Sequence, residues 1–328
     1  MKSLGLSRHA LVIIAAAEML AGCGGSQPPI GAPGVIPQSR AVATHANRGG
    51  SWMLPDAKSK DLLYVGDIYD VTVYSYPQGK LEGRLNGFYE IGGECVDAKG
   101  DVFVVNTLGG KIVEYAHGGK KPIQTLQATG YEPADCAIDP TTGNLAVTIF
   151  GGASSGELAI YQDAKGTPTL YTDPDFLNYG YCGYDDNGNL FIDGGNEDHV
   201  VVFAELAKGA SSFLNLTLDQ SFNDTGAIQW DGKYLDVGDQ NTSNIYRFSI
   251  SGSQGTEVGV TQLGGDAHWI HKFFILDHKV IAPNFYFIGS RFESNVLIFN
   301  YPAGGSPLKT ISKGVKASET AVVSKAQK

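Results

Sequence analysis

The chain has 328 residues, 42% of them apolar or aromatic and 18% charged, with a formal net charge of −10. Enough apolar surface is present for a sizeable core, which excludes a disordered chain. The acidic excess repels phosphate backbones and speaks against nucleic acid as a partner.

Residues 1–22 read as a cleavable export signal. Lys2 and Arg8 make a positive start, and Ala10 to Ala17 form an apolar stretch too short to span a bilayer. The segment Leu20-Ala21-Gly22-Cys23 that follows resembles the bacterial lipobox. That resemblance implies cleavage before Cys23 and acylation of the cysteine with chains such as palmitate, giving a membrane anchor. Gly24 stands where an Asp would imply inner-membrane retention, so the resemblance points to the outer membrane, with the body on its periplasmic or surface face. Loss of Lys2, Arg8 and Glu18 takes the mature charge to about −11. Residues 23–50, rich in Pro, Gly and small polar side chains, read as a flexible tether. Residues 51–328 read as a single folded domain, and no further segment reaches the roughly 18 apolar residues of a spanning helix.

Within that domain a unit recurs six times. Short β-branched and aromatic runs begin at Leu62, Val102, Leu145, Leu190, Tyr234 and Val280 and end at Asp67, Asn106, Thr148, Asp193, Asp239 and Asn284. They have the pattern of strands buried on both faces, and their terminal side chains can bond amides just ahead and start a turn. Each is followed by an alternating strand closing on an aromatic: Tyr74, Tyr115, Tyr161, Phe203, Phe248 and Phe299, spaced 41 to 51 residues apart. A glycine-bearing turn and a polar outer strand come next. A self-similar period of this length in an all-strand chain marks a β-propeller.

Innermost strands precede an Asp turn in Glu94–Asp97, Asp135–Asp139, Tyr181–Asp185, Ala227–Asp231 and His268–Asp277. Glu319–Val323 has the same character but no strand after it, so it is expected to supply the inner strand of the first unit and close the ring. The fold predicted is all-β, a six-bladed propeller closed by its two termini. Seven blades is the alternative, if Trp52-Met-Leu-Pro55 starts a unit of its own.

The segment Val237-Gly-Asp-Gln-Asn-Thr-Ser-Asn-Ile-Tyr-Arg-Phe248 and the inner strand Cys136-Ala-Ile-Asp139 resemble NHL-type repeats and the SMP-30/gluconolactonase-like propellers. The latter resemblance implies a divalent metal held by one Glu, one Asn and one Asp from different blades. Glu94, Asn106 and Asp135 are of those types, but they do not align with that family's motif, so its ligand roles are not transferred.

Glu94, Asp135 and Glu319 stand just before their inner strands, as do Tyr181 and His268. Three carboxylates and an imidazole at one channel mouth could hold Ca²⁺, or Zn²⁺ with His268. Such a metal would polarise a lactone or ester carbonyl. The simpler expectation is a wet channel whose polar residues are solvated. Cys95, Cys136 and Cys182 are equivalent channel-lining positions where small residues suit crowded strands; disulfide pairing among them stays open. The aromatic run Asn284-Phe285-Tyr286-Phe287, with the insertion up to Asn295, is a candidate partner loop. No phosphate loop, nucleophile elbow or His-Glu-x-x-His helix is present. The sequence thus points to an exported, tethered, non-catalytic module for a protein, glycan or small molecule. A metal-dependent hydrolase of the lactonase kind is the competing reading.

Overall fold

The computed structural model describes residues 49–151, 155–288 and 291–327. Cys23, the export signal and the tether up to residue 48 lie outside them. Among the described residues no helix is long and apolar enough to cross a membrane, and two single 3-10 turns, Ala57–Ser59 and Gln162–Ala164, are the helical elements.

The strands sort into six four-stranded antiparallel groups. Blade one holds Leu62–Gly66, Asp70–Ser75 and Leu81–Asn86, with Thr320–Ser324 as its innermost strand. Blade two is Ile91–Val96, Val102–Asn106, Lys111–Tyr115 and Pro122–Gln127, and blade three Pro133–Ile138, Leu145–Ile149, Glu157–Tyr161 and Thr169–Tyr171. Blade four is Asn178–Tyr184, Leu190–Gly195, Val201–Leu206 and Leu214–Leu218. Blade five is Thr225–Trp230, Leu235–Asp239, Asn244–Ser251 and Gln254–Gln262. Its outer strand also touches that of blade four in a short parallel pairing, Thr217 with Gln254. Blade six is Phe274–Leu276, Lys279–Ile288, Arg291–Asn300 and Gly304–Ile311. Trp52–Met53 does not begin a unit of its own; it pairs with Arg84 and Gly83 as an extra outer strand of blade one.

The ring closes as the C-terminal pattern foretells, Leu62 pairing with Ser324 and Gly66 with Thr320. This removes a sheet edge that would otherwise template association. The core explains why the blades need one another, for it consists of six apolar clusters, each shared by two neighbours. Tyr64 and Val73 of blade one meet Val102 and Tyr115 of blade two; at the seam, Leu63 and Tyr74 of blade one meet Ile281 and Val296 of blade six. The six repeating aromatics are all buried, Tyr161, Phe248 and Phe299 completely so. Each contributes about 1.5–3 kcal/mol by leaving water, in a cluster that its own blade shares with a neighbour. The arrangement is a β-propeller.

Two sets of short polar side chains fix the loops at the two ends of the ring. At the end called lower here, where inner strands turn into second strands, Asp97, Asp139, Asp185 and Asp231 each accept amides two to four residues on at 2.7–2.9 Å. At the upper end, Asp67 and Asp239 start their own turns in the expected way. Asn106, Thr148, Asp193 and Asn284 instead reach sideways to the amides of Tyr89, Asp135, Tyr181 and His268, at 2.6–3.0 Å. They stitch the second strand to the chain entering the inner strand, which a single sequence does not reveal.

Candidate functional site

The inner strands crowd the axis. A Cβ on Gly93 would stand 2.6 Å from Asp135 Oδ1, and one on Gly183 would stand 2.7 Å from the Ile228 carbonyl. No side chain fits at those two positions without a shift of its neighbours. Cys95 and Cys136, on adjacent inner strands with Cα atoms 5.7 Å apart, are joined by a disulfide, while Cys182 is free and buried. Burial pushes the Cys182 thiol well above its ordinary range, so it packs as a small inert residue. Tyr181 is deep in the same wall, its hydroxyl raised by burial.

A cavity of about 240 Å³ runs along the axis from Pro140 and Trp230, at the lower ends of the inner strands, to Glu94, Asp135 and Lys272. Lys272 decides the chemistry of this floor. Its ammonium bonds Asp135 Oδ1, both side chains being nearly fully buried, and Asp135 Oδ2 accepts the Cys182 amide at 3.2 Å. Glu94 is buried beside them without a hydrogen-bond partner of good geometry on either oxygen. Burial pushes its carboxyl up to about 8, against the opposing pull of Lys272. Asp193, one blade further round, is raised to about 7 by burial, although its side chain accepts the Tyr181 amide at 2.6 Å.

The metal-ligand set read from the sequence is therefore only half assembled. Glu94 and Asp135 do converge, with the Lys272 ammonium held against Asp135. Glu319 stays half-exposed at the upper mouth, 3.5 Å from His271 Nδ1. His268 is exposed on the upper loops, its ring 5.5 Å from that of Tyr286. Among the described residues no three His, Cys, Asp or Glu side chains are placed to hold one ion. The residues present fit a built-in ammonium better than a divalent metal. The register explains the mismatch. Of the stretch His268–Asp277 expected as the inner strand of blade six, only Phe274–Leu276 forms strand; the residues before it are irregular, Trp269 is left-handed with φ of 41°, and the His271 carbonyl accepts the Ala227 amide of blade five. Lys272, rather than His268, thereby reaches the axis. The readable signal was a lysine set between Ile270 and Phe273, a costly place for an ammonium without a buried carboxylate.

The aromatic insertion of blade six is not a loop. Asn284 through Ile288 continue the second strand and pair with Arg291 through Asn295, making a hairpin arm. Asn284 itself is buried and structural, bonded to the His268 amide, the Asp266 carbonyl and Asn295. Phe285 is buried and Tyr286 partly so, leaving Phe287 as the exposed ring, 58% accessible. Phe287 and Tyr286 line a cleft of about 360 Å³ with Trp269, His268 and Asn241–Ser243.

Exposed large apolar side chains are unevenly placed around the ring. Ile68, Leu108, Phe150 and Val200 follow the second strands of blades one to four. Tyr89, Tyr131 and Trp269 precede inner strands, and Phe287 lies on the strand arm; all eight are at the upper end. The other exposed ones among the described residues lie on outer strands or near the N-terminal edge, and none lies in a lower turn. The exposed large apolar side chains that lie off the outer strands and the N-terminal edge thus collect at one end of the ring. The Tyr-Glu pair repeated at 89–90 and 131–132 was its sequence signal.

No protein-family model matches the chain, and no curated protein matches it in sequence. Solved structures do share its fold. A chain in the crystal structure of a nidogen/laminin complex superposes with a TM-score of 0.61 at 13% identity, over 81% of this chain and 99% of that one. A protein of unknown function from Bacteroides caccae gives 0.62 at 11% identity, over 80% and 98%. These likenesses bear on architecture alone and agree with a β-propeller.

Proposed function

We propose that this propeller is an exported, non-catalytic binding module, tethered to the cell envelope through acylated Cys23, that meets its partner with its upper loops. The observation carrying this reading is the confinement of loop-borne exposed apolar side chains to the upper end. Four of the lower turns close on their own aspartates, and among the described residues none carries an exposed large apolar side chain. The floor of the axial cavity supports the same choice, since Lys272 engages the carboxylate that a metal-dependent hydrolase would need free. Of the partner classes expected from the sequence, a protein fits a broad rim of separate aromatic and aliphatic contacts better than a small molecule does.

Two experiments test the proposal. Replacing Cys23 with Ser should move the protein from the membrane fraction to the soluble one and abolish palmitate labelling; unchanged membrane association would refute the anchor. For the binding surface, residues 47–328, a single compact unit, are immobilised and exposed to envelope extract. Any partner retained by the parent should be lost with Tyr131→Ser plus Phe287→Ser. Retention of every partner by that variant would overturn the assignment of the face.

A further inference from the structure

The upper loops carry a second pattern, and it bears on what kind of protein they receive. Glu90 and Glu132 hold the same place in adjacent blades, directly after the exposed Tyr89 and Tyr131. Both are left-handed, with φ of 60° and 61°. The Glu90 carbonyl accepts the Thr107 amide at 2.8 Å and the Glu132 carbonyl the Phe150 amide at 2.9 Å. Left-handed backbone costs a side-chain-bearing residue about 1–2 kcal/mol, and Gly or Asn would adopt it more cheaply. The carboxylates give nothing back locally, for neither makes a hydrogen bond or ion pair among the described residues. Glu319 enters from blade one beside them. The three stand directly before the inner strands of blades one, two and three, and after burial the charges of Glu319 and Glu132 push the Glu90 carboxyl up. His271 Nδ1 stands 3.5 Å from Glu319 Oε2.

We propose that the upper face receives a basic, apolar polypeptide segment, with a lysine or arginine seated over Glu90, Glu132 and Glu319 and apolar side chains against Tyr89, Tyr131 and Leu108. This rests on the reading of the upper face as the binding surface and names the chemistry of its partner. Charge complementarity selects the occupant: a bound cation relieves the mutual repulsion of the carboxylates, and the flanking tyrosines suit a cation as well as an aliphatic stem. An anionic lipid surface would meet the same carboxylates with like charge.

The test uses the 47–328 unit and three labelled seven-residue peptides in which leucine alternates with lysine, glutamine or glutamate. Fluorescence anisotropy should show the lysine peptide binding at least tenfold more tightly than the glutamine one, with the glutamate peptide not binding. The triple variant Glu90→Gln, Glu132→Gln, Glu319→Gln should weaken the lysine peptide at least tenfold. A control, Asp163→Asn, Asp186→Asn, Asp277→Asn, changes net charge equally through the lower turns and should leave binding within twofold. Equal weakening by both triples would mean general attraction to an acidic protein and overturn the proposal. So would equal binding of the lysine and glutamine peptides, no binding of any, or attachment to phosphatidylglycerol vesicles that survives the upper triple. Loss of envelope partners in the Tyr131→Ser, Phe287→Ser protein alongside any of these would leave the binding face standing and only its partner chemistry wrong.

Discussion

The two ends of this ring are built from the same repeat yet solve different problems. The lower turns at Asp97, Asp139, Asp185 and Asp231 are each closed by that side chain, Asp185 accepting both the Asn187 and Asn189 amides. The upper loops are held from below by Asn106, Thr148, Asp193 and Asn284, which grip the chain entering the inner strand. The outward side chains there are released from turn duty. Tyr89, Tyr131, Trp269 and Phe287 can then be exposed, and Glu90 and Glu132 can sit in conformations that turn chemistry alone would not choose. Left-handed non-glycine residues occur at both ends, Asp277 and His278 among them at the lower one; what separates the ends is the exposed apolar surface, which the upper one carries.

The largest effect expected lies on the axis between the two ends. Lys272→Met removes the ammonium from Asp135 and leaves that carboxylate and Glu94 buried without a counter-charge. A loss of about 3–5 kcal/mol is expected, read as a fall in urea midpoint. A change under about 1 kcal/mol would mean that Lys272 is not the keystone of the cavity floor. Next comes the lower face: Asp185→Ala strands two amides and should cost about 1–3 kcal/mol while partner capture stays intact.

A pH series sharpens the contrast between axis and rim. The carboxyls of Glu94, Asp193 and Asp236 are pushed up to about 8, 7 and 8, in each case chiefly by burial. Unfolded, they titrate near 4. The native state therefore binds these protons more tightly, and the contribution of these three groups to stability is fullest below about pH 4 and is lost as pH rises through 7–8. Melting temperature should fall between pH 5 and 8.5, with a shallower fall in Asp193→Asn. A flat profile would contradict the buried assignment. The smallest effect is a gain. Glu132→Gly relieves a left-handed residue and should stabilise the fold by up to about 1 kcal/mol, while weakening the lysine–leucine peptide.

Much of the architecture could be read directly. The buried aromatics from Tyr74 to Phe299 gave the period, and the lone strand Thr320–Ser324 gave the closure, because both depend on local pattern. The site was less legible. Which residue of blade six reaches the axis depends on how His271 leans on Ala227, a contact between blades that no local spacing encodes. The Cys95–Cys136 bridge likewise depends on two strands 41 residues apart standing side by side. Asn284 looked like the start of a loop because its side chain is polar, yet that polarity serves His268 and Asn295 within a continuing hairpin.

The most direct test of the whole account is a paired capture experiment on the 47–328 unit, with melting temperature recorded for each variant. Tyr131→Ser plus Phe287→Ser should keep the melting temperature within about 2 °C of the parent and lose the envelope partner. Asp185→Ala should lower the melting temperature and keep the partner. The reverse outcome, with the partner surviving loss of the upper aromatics and vanishing with the lower aspartate, would contradict the assignment of recognition to the upper end.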